Sequence, residues 1–408
     1  MDLNKIPILY KNAIYLYLCP VATGLLGLVF WSIVTHSIPA AEIGINVALL
    51  NAMAFVSTLS LLGLNYYLIK FTPEEKGNPS HLLSSVLLVT ICASIIATSI
   101  FLLINSYSQY INGTYSYLLI ILLGTITTVW IIYHGIFVSR RKTQYLLLQD
   151  VLTSVAKVLL IILSVRVVLP FSIIISWTLA LFIGVAFSFL ITGPKIGFNK
   201  FTPTLESLRK IWTNRNYCIS NYITNTLLAA SPMLLPLLVI ATLGAEQNAY
   251  FYIGWTTGSL IFSIPIGAST SLFAEGVNTK EGLKLNIPKA AKLIICLLIP
   301  SILIVYLLGD KILLLFGKIY SNETYDLLKI LVVSAIPYSF TLIHTTVLRT
   351  TKRVKELAAL WVITVGLIFL TSYILMPKVG IEGVGYSFLG IHGLVMGYIL
   401  LFRREVYK

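Results

Sequence analysis

Acidic residues are scarce: 15 Asp and Glu in 408 residues, against 29 Lys and Arg. Only 11% of the chain is charged and 57% is hydrophobic, with a mean hydropathy of +0.90. Soluble domains carry roughly 25% charged residues, so a chain of this length and composition cannot build a soluble surface. That excludes a globular enzyme, a soluble nucleic-acid binder and a disordered chain. Cysteine is scarce as well. Cys19, Cys92, Cys218 and Cys296 lie far apart, in or beside apolar blocks, with no Cys-x-x-Cys and no Cys/His cluster. Neither a disulfide framework nor a zinc or other metal site is indicated, and the four read as small buried apolar residues. There is no Asp-x-Asp motif and no Walker motif. The chain therefore cannot use ATP by itself, and no cofactor is called for.

What the sequence has is apolar blocks of about twenty residues, the length that crosses a hydrocarbon core as a helix. The reading is an all-α polytopic membrane protein with about twelve transmembrane helices, near 12–35, 43–70, 81–104, 115–139, 145–168, 171–192, 217–243, 249–274, 289–308, 327–349, 356–376 and 383–402. Lys5 and Lys11 precede a first apolar run with no cleavage pattern, so that run is expected to be a retained span. Twelve spans in 408 residues leave short connections and no extramembrane domain. That weighs against a membrane glycosyltransferase or ligase, which usually carries large external loops.

Basic residues fix the expected orientation. The two termini and the even-numbered connections hold 23 of the 29 Lys and Arg, and the odd-numbered connections hold five. Cytoplasmic loops collect Lys and Arg, so both termini are expected to be cytoplasmic in a multi-pass protein of the plasma membrane. The same placement accounts for most of the net charge of +14 without a nucleic-acid partner. Membrane lipids are the expected polyanionic neighbours. Two Asn-x-Thr sequons, at Asn112 and Asn322, fall on the outer side and carry no weight.

The longest polar connection divides the chain into an N-terminal six-helix bundle (1–195), a cytoplasmic basic linker (196–216) and a C-terminal six-helix bundle (217–408). An offset of 204 pairs Ala41-Glu42 with Ala245-Glu246 and Gly63 with Gly267. His134 and His344 each precede a basic turn. Equal span counts and these echoes suggest a duplication. Parallel repeats of this kind suit a transporter whose two bundles rock around a central site.

Ionisable residues inside a span are functional candidates by default, because each costs roughly 2.5–3.5 kcal/mol or more in lipid. Lys157 lies near the middle of the fifth span. Asp150, Ser154, Lys157 and Ser164 share one face, broken by Ile161. Such a stripe faces a polar cavity, or Lys157 snorkels or pairs with Asp150 to neutralise charge; the sequence leaves both open. The seventh span carries Asn221, Thr224 and Asn225 on one face, then Pro232 and Pro236. The corresponding first span has Pro20, Gly24 and Gly27. Proline removes helical hydrogen bonds, so Pro20, Gly24, Pro232 and Pro236 are gating or kink candidates, with close packing as the alternative. Glu275 is a coupling-ion candidate for H+ or Na+, with a solvated helix end as the simpler reading. His134 and His344 read as packing or interfacial hydrogen bonding rather than a proton relay. Tyr is abundant, 23 residues with many at span ends, which suits interfacial anchoring.

Several stretches carry a family resemblance. Gly309–Phe340, "GDKILLLFGKIYSNETYDLLKILVVSAIPYSF", contains Phe-Gly-x-x-Tyr followed by Leu-Leu-x-Ile-Leu. Leu348–Glu356, "LRTTKRVKE", and Met376–Ser387, "MPKVGIEGVGYS", follow it. In the first half, "IPAAEIGINVALLNAMAFVSTLSLLGLNYYLIK" covers the second-helix region. These resemble polysaccharide flippases of the MOP superfamily, the Wzx-type O-antigen and teichoic-acid exporters related to MATE transporters. The resemblance implies a MATE-like, pseudo-two-fold pair of six-helix bundles with an alternating-access cavity between them. It implies transport of a polyprenyl-diphosphate-linked oligosaccharide, no catalytic residue, and polysaccharide-assembly proteins as partners. Under it Lys157, Asp150, Ser154, Asn221 and Asn225 become cavity candidates, with the cationic part holding the diphosphate. The competing readings are a MATE-like cation-coupled exporter of small molecules and, from another class, a membrane glycosyltransferase or ligase.

Overall fold

In a computed structural model of the chain, the described residues are 8–73, 79–104, 113–167, 171–198, 200–276, 280–351 and 353–402. They are helical, with no strand among them. In chain order the helices are α1 (Ile8–Ser37), α2 (Ala40–Ser60), α3 (Leu64–Phe71), α4 (Pro79–Ile104), α5 (Thr114–Ser139), α6 (Thr143–Arg166), α7 (Ser172–Phe187) and α8 (Gly193–Ile196). There follow α9 (Leu205–Thr213), α10 (Arg215–Leu243), α11 (Ala245–Gly276), α12 (Lys280–Leu313), α13 (Lys318–Thr350), α14 (Val354–Val379) and α15 (Glu382–Phe402). A π-turn, Ser188–Thr192, joins α7 to α8.

Among the described residues, eleven helices are long and apolar enough to cross a membrane. The chain is an all-α, multi-pass membrane protein. Helix α11 is outside that set although its 32 residues span about 48 Å at ~1.5 Å per residue. Its Tyr, Trp, Thr and Ser residues lower its hydropathy, and Ala249, Tyr250, Phe251 and Ile253 are buried within the protein. A helix shielded by its neighbours needs less apolar surface than one bathed in lipid.

The stretch 43–70, expected as one span, is interrupted. Helix α2 ends at Ser60, and α3 restarts after Gly63, which adopts φ 75°. The preceding Leu62 also has positive φ, 51°, a conformation that costs an L-residue about 1–2 kcal/mol. Gly63 is required for a second reason. A Cβ there would lie 2.2 Å from the Cys218 carbonyl oxygen, so α3 begins in backbone contact with α10.

The chain forms two compact units. The first comprises Met1–Ser37 and Leu49–Ala229, the second Ile38–Ala48 and Ala230–Lys408. In the first unit α1 lies along α6, α6 along α7, and α5 touches α3, α4 and α7. Its core at the α3–α5 end holds Tyr67, Leu68, Leu82, Tyr133 and Phe137, each 2% exposed or less. The basic stretch 196–216 is tied to the start of α4. Ser80 Oγ donates to Gly197 O at 2.9 Å, Thr202 N to Ser84 Oγ at 2.9 Å, and Thr204 N to Ser85 Oγ at 3.2 Å. Thr204 caps α9 by accepting from Ser207 N. Leu205 and Trp212 on α9 are 76% and 71% exposed beside Arg209 and Lys210, the composition of a helix lying in the membrane interface.

In the second unit α13 is central, in contact with α11, α12 and α15. Leu327, Leu328, Leu331 and Val332 form its fully buried face. At the start of this unit, residues separated by the sequence offset of 204 meet: Asn248 Nδ2 donates to Gly44 O at 2.7 Å. A Cβ on Gly44 would lie 1.7 Å from Ala245 O, so α2 and α11 begin in backbone contact.

Candidate functional site

Helices α5 and α6 form a hairpin across the short basic turn at Arg140–Lys142, where Arg141 adopts φ 54°. His134 and Asp150 stand eight residues to either side of Lys142, so an antiparallel hairpin brings them level. His134 Nε2 lies 2.8 Å from Asp150 Oδ1. An ionised carboxylate only accepts, so the imidazole nitrogen donates. The other oxygen, Oδ2, accepts from Cys19 Sγ at 2.7 Å. Both carboxylate oxygens are thus engaged, one by α5 and one by α1. Asp150 is 7% exposed and Cys19 6%. Trp130, one turn from His134, packs against its ring at a tilt of 50° with centroids 4.0 Å apart.

Lys157, two turns further along α6, is half-buried. Its Nζ sits 3.6 Å from the ring centroid of Trp177 on α7. Trp177 is backed edge-on by Phe30 at 5.5 Å and meets Trp31 at 6.3 Å. No ion pair joins Lys157 to Asp150: the carboxylate is held by His134 and Cys19, and the ammonium by an aromatic face. A cation over a desolvated indole gains about 2 kcal/mol or more, which offsets part of its burial. Beyond it, Ser164 and Ser176 hydroxyls meet at 3.1 Å.

The structure places the candidates unequally. Asp150 and Lys157 belong to one polar strip of α6, with half-buried Ser154 between them. Pro20 follows Cys19 directly inside α1, and Gly24 is one turn on. The thiol that grips Asp150 is therefore adjacent to the position where α1 lacks a backbone donor. Pro232 and Pro236 lie within a continuous α10, Pro232 exposed and Pro236 buried. The side chains of Asn221, Asn225 and Glu275 lie outside the described residues. His344 is buried on α13.

One expectation is corrected. The cysteines are not uniformly buried apolar groups: Cys92 and Cys296 are exposed, and Cys19 is a hydrogen-bond donor. Sequence reasoning also missed Trp177 and Trp130, because an aromatic residue in an apolar run reads as packing. In the second unit it missed His392, fully buried, whose Nδ1 meets Thr341 Oγ1 at 3.0 Å and whose ring packs on Phe388 at 4.4 Å. The sequence held only an imidazole in the last span as a sign of it. No group of three or more His, Cys, Asp or Glu residues suited to a metal ion occurs among the described residues.

A family model described as "Polysaccharide biosynthesis protein" matches residues 9–273. The chain belongs to the polysaccharide biosynthesis protein family. The resemblance carried by the sequence motifs is borne out at that level. A comparison with curated proteins finds no match. Among solved structures, the fold is similar to the inward-facing conformation of a multidrug resistance MATE family transporter of the MOP superfamily. The TM-score is 0.73 at 14% identity, covering 97% of this chain and 98% of the other. The lipid II flippase MurJ, inward closed, gives a TM-score of 0.70 at 14% identity over 97% and 88%. A MOP superfamily transporter from Pyrococcus furiosus, described by the reverse polarity of its binding pocket, gives 0.64 at 15% identity over 97% and 95%. At these identities the likeness establishes the fold.

Proposed function

We propose that this polysaccharide biosynthesis protein is a flippase. It moves a polyprenyl-diphosphate-linked oligosaccharide, such as an O-antigen unit or another surface-glycan unit, from the inner to the outer leaflet of the plasma membrane. It works by alternating access, and both its termini are cytoplasmic. The observation that carries the reading is Lys157: an intramembrane ammonium seated on an indole, with no carboxylate at ion-pair distance among the described residues, which suits an anionic cargo. Membership of a polysaccharide-biosynthesis family supplies the glycan. The fold shared with MurJ and MATE transporters supports a machine with two access states, and a cargo drives such a machine only by binding the states unequally.

Asp150 is the proposed coupling point alongside Glu275. It links α1 to α5 beside Pro20, so any H+ or Na+ that loosened the Cys19–Asp150–His134 bonds would free the kink-prone part of α1. The competing reading, an exporter of small cationic compounds, would need a carboxylate free to meet the cargo; both oxygens of Asp150 are already engaged. Deletion of the gene tests the proposal. Lipid-linked glycan should accumulate on the cytoplasmic face, and plasmid-borne protein should clear it. Intact surface glycan in a deletion strain with no second flippase refutes it. Turnover of a lipid-linked sugar by the purified protein would make it an enzyme instead.

A further inference from the structure

The first unit contains a second polar space, apart from the Asp150–Lys157 strip and built where the second span breaks. A cavity of about 180 Å3 is lined by Thr58 and Gly63, by Asn65 and Tyr66 of α3, and by Tyr222 and Thr226 of α10. A non-helical turn at membrane depth is tolerated only where it is buried in protein or lines a polar cavity. The Leu61–Gly63 turn, with its two positive-φ residues, does the latter. Positions that hold an unfavourable backbone point to a use for it.

The lining chemistry narrows the occupant. Among the described residues no charged side chain borders the space, so none of them offers a partner to a diphosphate or a metal ion. Two phenol rings offer flat faces, and Asn65 and the threonines offer donors and acceptors. Thr58 Oγ1 donates to Ala54 O at 2.9 Å, which fixes its hydroxyl on the wall. Thr226 Oγ1 is buried with no hydrogen-bond partner among the described residues, a deficit that an incoming hydroxyl removes. Neutral donors and acceptors beside aromatic faces match a ring with hydroxyls on its edge and C–H groups on its face. The volume is below the ~300–1,000 Å3 of drug-sized sites and suits one ring rather than a chain.

We propose that this cavity is a subsite for a single neutral pyranose unit of the lipid-linked glycan, engaged from the cytoplasmic side. The assignment rests on the flippase reading and deepens it: the cation of α6 takes the diphosphate, and the α3–α10 cavity takes a sugar.

The test uses the full chain in nanodiscs and saturation-transfer NMR with methyl glycosides of glucose, galactose and N-acetylglucosamine. At least one should receive saturation. Thr226→Val, which keeps the shape and removes the hydroxyl, should weaken that signal about three-fold. Thr226→Leu, which fills the cavity, should abolish it, and Cys92→Ala on the exposed face of α4 should leave it unchanged. Transfer to none of the three glycosides, or transfer that survives Thr226→Leu, overturns the subsite. A parallel complementation arm separates the two claims. If the wild-type protein restores surface glycan and Thr226→Leu restores it equally, the subsite falls and the flippase stands. If the deletion strain never accumulates lipid-linked glycan, the flippase reading itself falls.

Discussion

Replacing Asp150 by leucine should expose what its two hydrogen bonds contribute. The substitution keeps a similar volume and strands two donors, His134 Nε2 at 2.8 Å and Cys19 Sγ at 2.7 Å. Hydrogen bonds to a charged group contribute roughly 1.5–3 kcal/mol, and a thiol is a weak donor, so most of the loss comes from the imidazole. Polar interactions between membrane helices average about 0.6 kcal/mol and reach about 1.7, because the unfolded chain in the membrane also finds partners. The expected destabilisation for Asp150→Leu is therefore about 2 kcal/mol. Cys19→Ala should cost about 0.5 kcal/mol, and Asp150→Asn, which can still accept from one partner, about 1 kcal/mol. The decisive variant is the pair His134→Leu with Asp150→Leu. Removing both members of a buried polar pair is often nearly neutral, whereas removing one is not. The double variant should be more stable than Asp150→Leu alone by at least about 1 kcal/mol. Unfolding by SDS in mixed micelles, followed by tryptophan fluorescence, measures these four and the single His134→Leu variant. If the double variant loses the sum of the two single losses, His134 and Asp150 are uncoupled and the account of the α1–α5–α6 junction is wrong.

Lys157→Ala should insert at normal abundance and lose transport, Lys157→Arg should keep part of it because the charge remains in a different geometry, and Lys157→Glu should be worse than alanine. Wild-type complementation by Lys157→Ala would remove this residue from the site, and low abundance rescued by Asp150→Asn would show that it serves only to balance Asp150. Gly63→Ala combines a φ of 75° with a Cβ 2.2 Å from Cys218 O and should destabilise by about 2 kcal/mol or more in the SDS titration. Gly27→Ala, with nothing within 4 Å, should instead be neutral or gain up to about 1 kcal/mol from helix propensity. Cysteines introduced near Asn112 and Asn322 should be labelled from outside intact cells, and those near Lys142, Lys210 and Lys355 should not; the reverse pattern refutes the charge-derived orientation.

The helices were legible because lipid imposes one rule, an apolar run of about twenty residues, and that rule leaves its trace in every block. Two features escaped it. The break at Leu61–Gly63 falls inside a run that stays apolar, and the reason for Gly63 is the carbonyl of Cys218, 155 positions away in the chain. Helix α11 was read as a span like the others, yet its polar content marks a helix walled in by α12 and α13. Hydropathy reports the solvent a helix would tolerate and says nothing of which neighbour replaces that solvent.

The site was legible in its residue types and not in its pairings. Lys157 and Asp150 share a helix face, and charge neutrality alone would join them. Seven residues of helix separate them by about 10 Å at ~1.5 Å per residue, more than an ion pair spans without both side chains bending along the axis. The hairpin decides otherwise. Once the turn is fixed at Lys142, His134 is level with Asp150 and reaches it directly, while Lys157 is two turns away and level with other neighbours. That registration could have been drawn from sequence, since the basic turn was recognised and both distances to it are eight. The contacts from α1 and α7 could not, because they depend on which helices pack beside α6. Cys19 and Trp177 come from those two helices, and they replace an apparent ion pair with two seats: a carboxylate hydrogen-bonded to α1 beside Pro20, and a cation on an indole face that still feels the charge of Asp150.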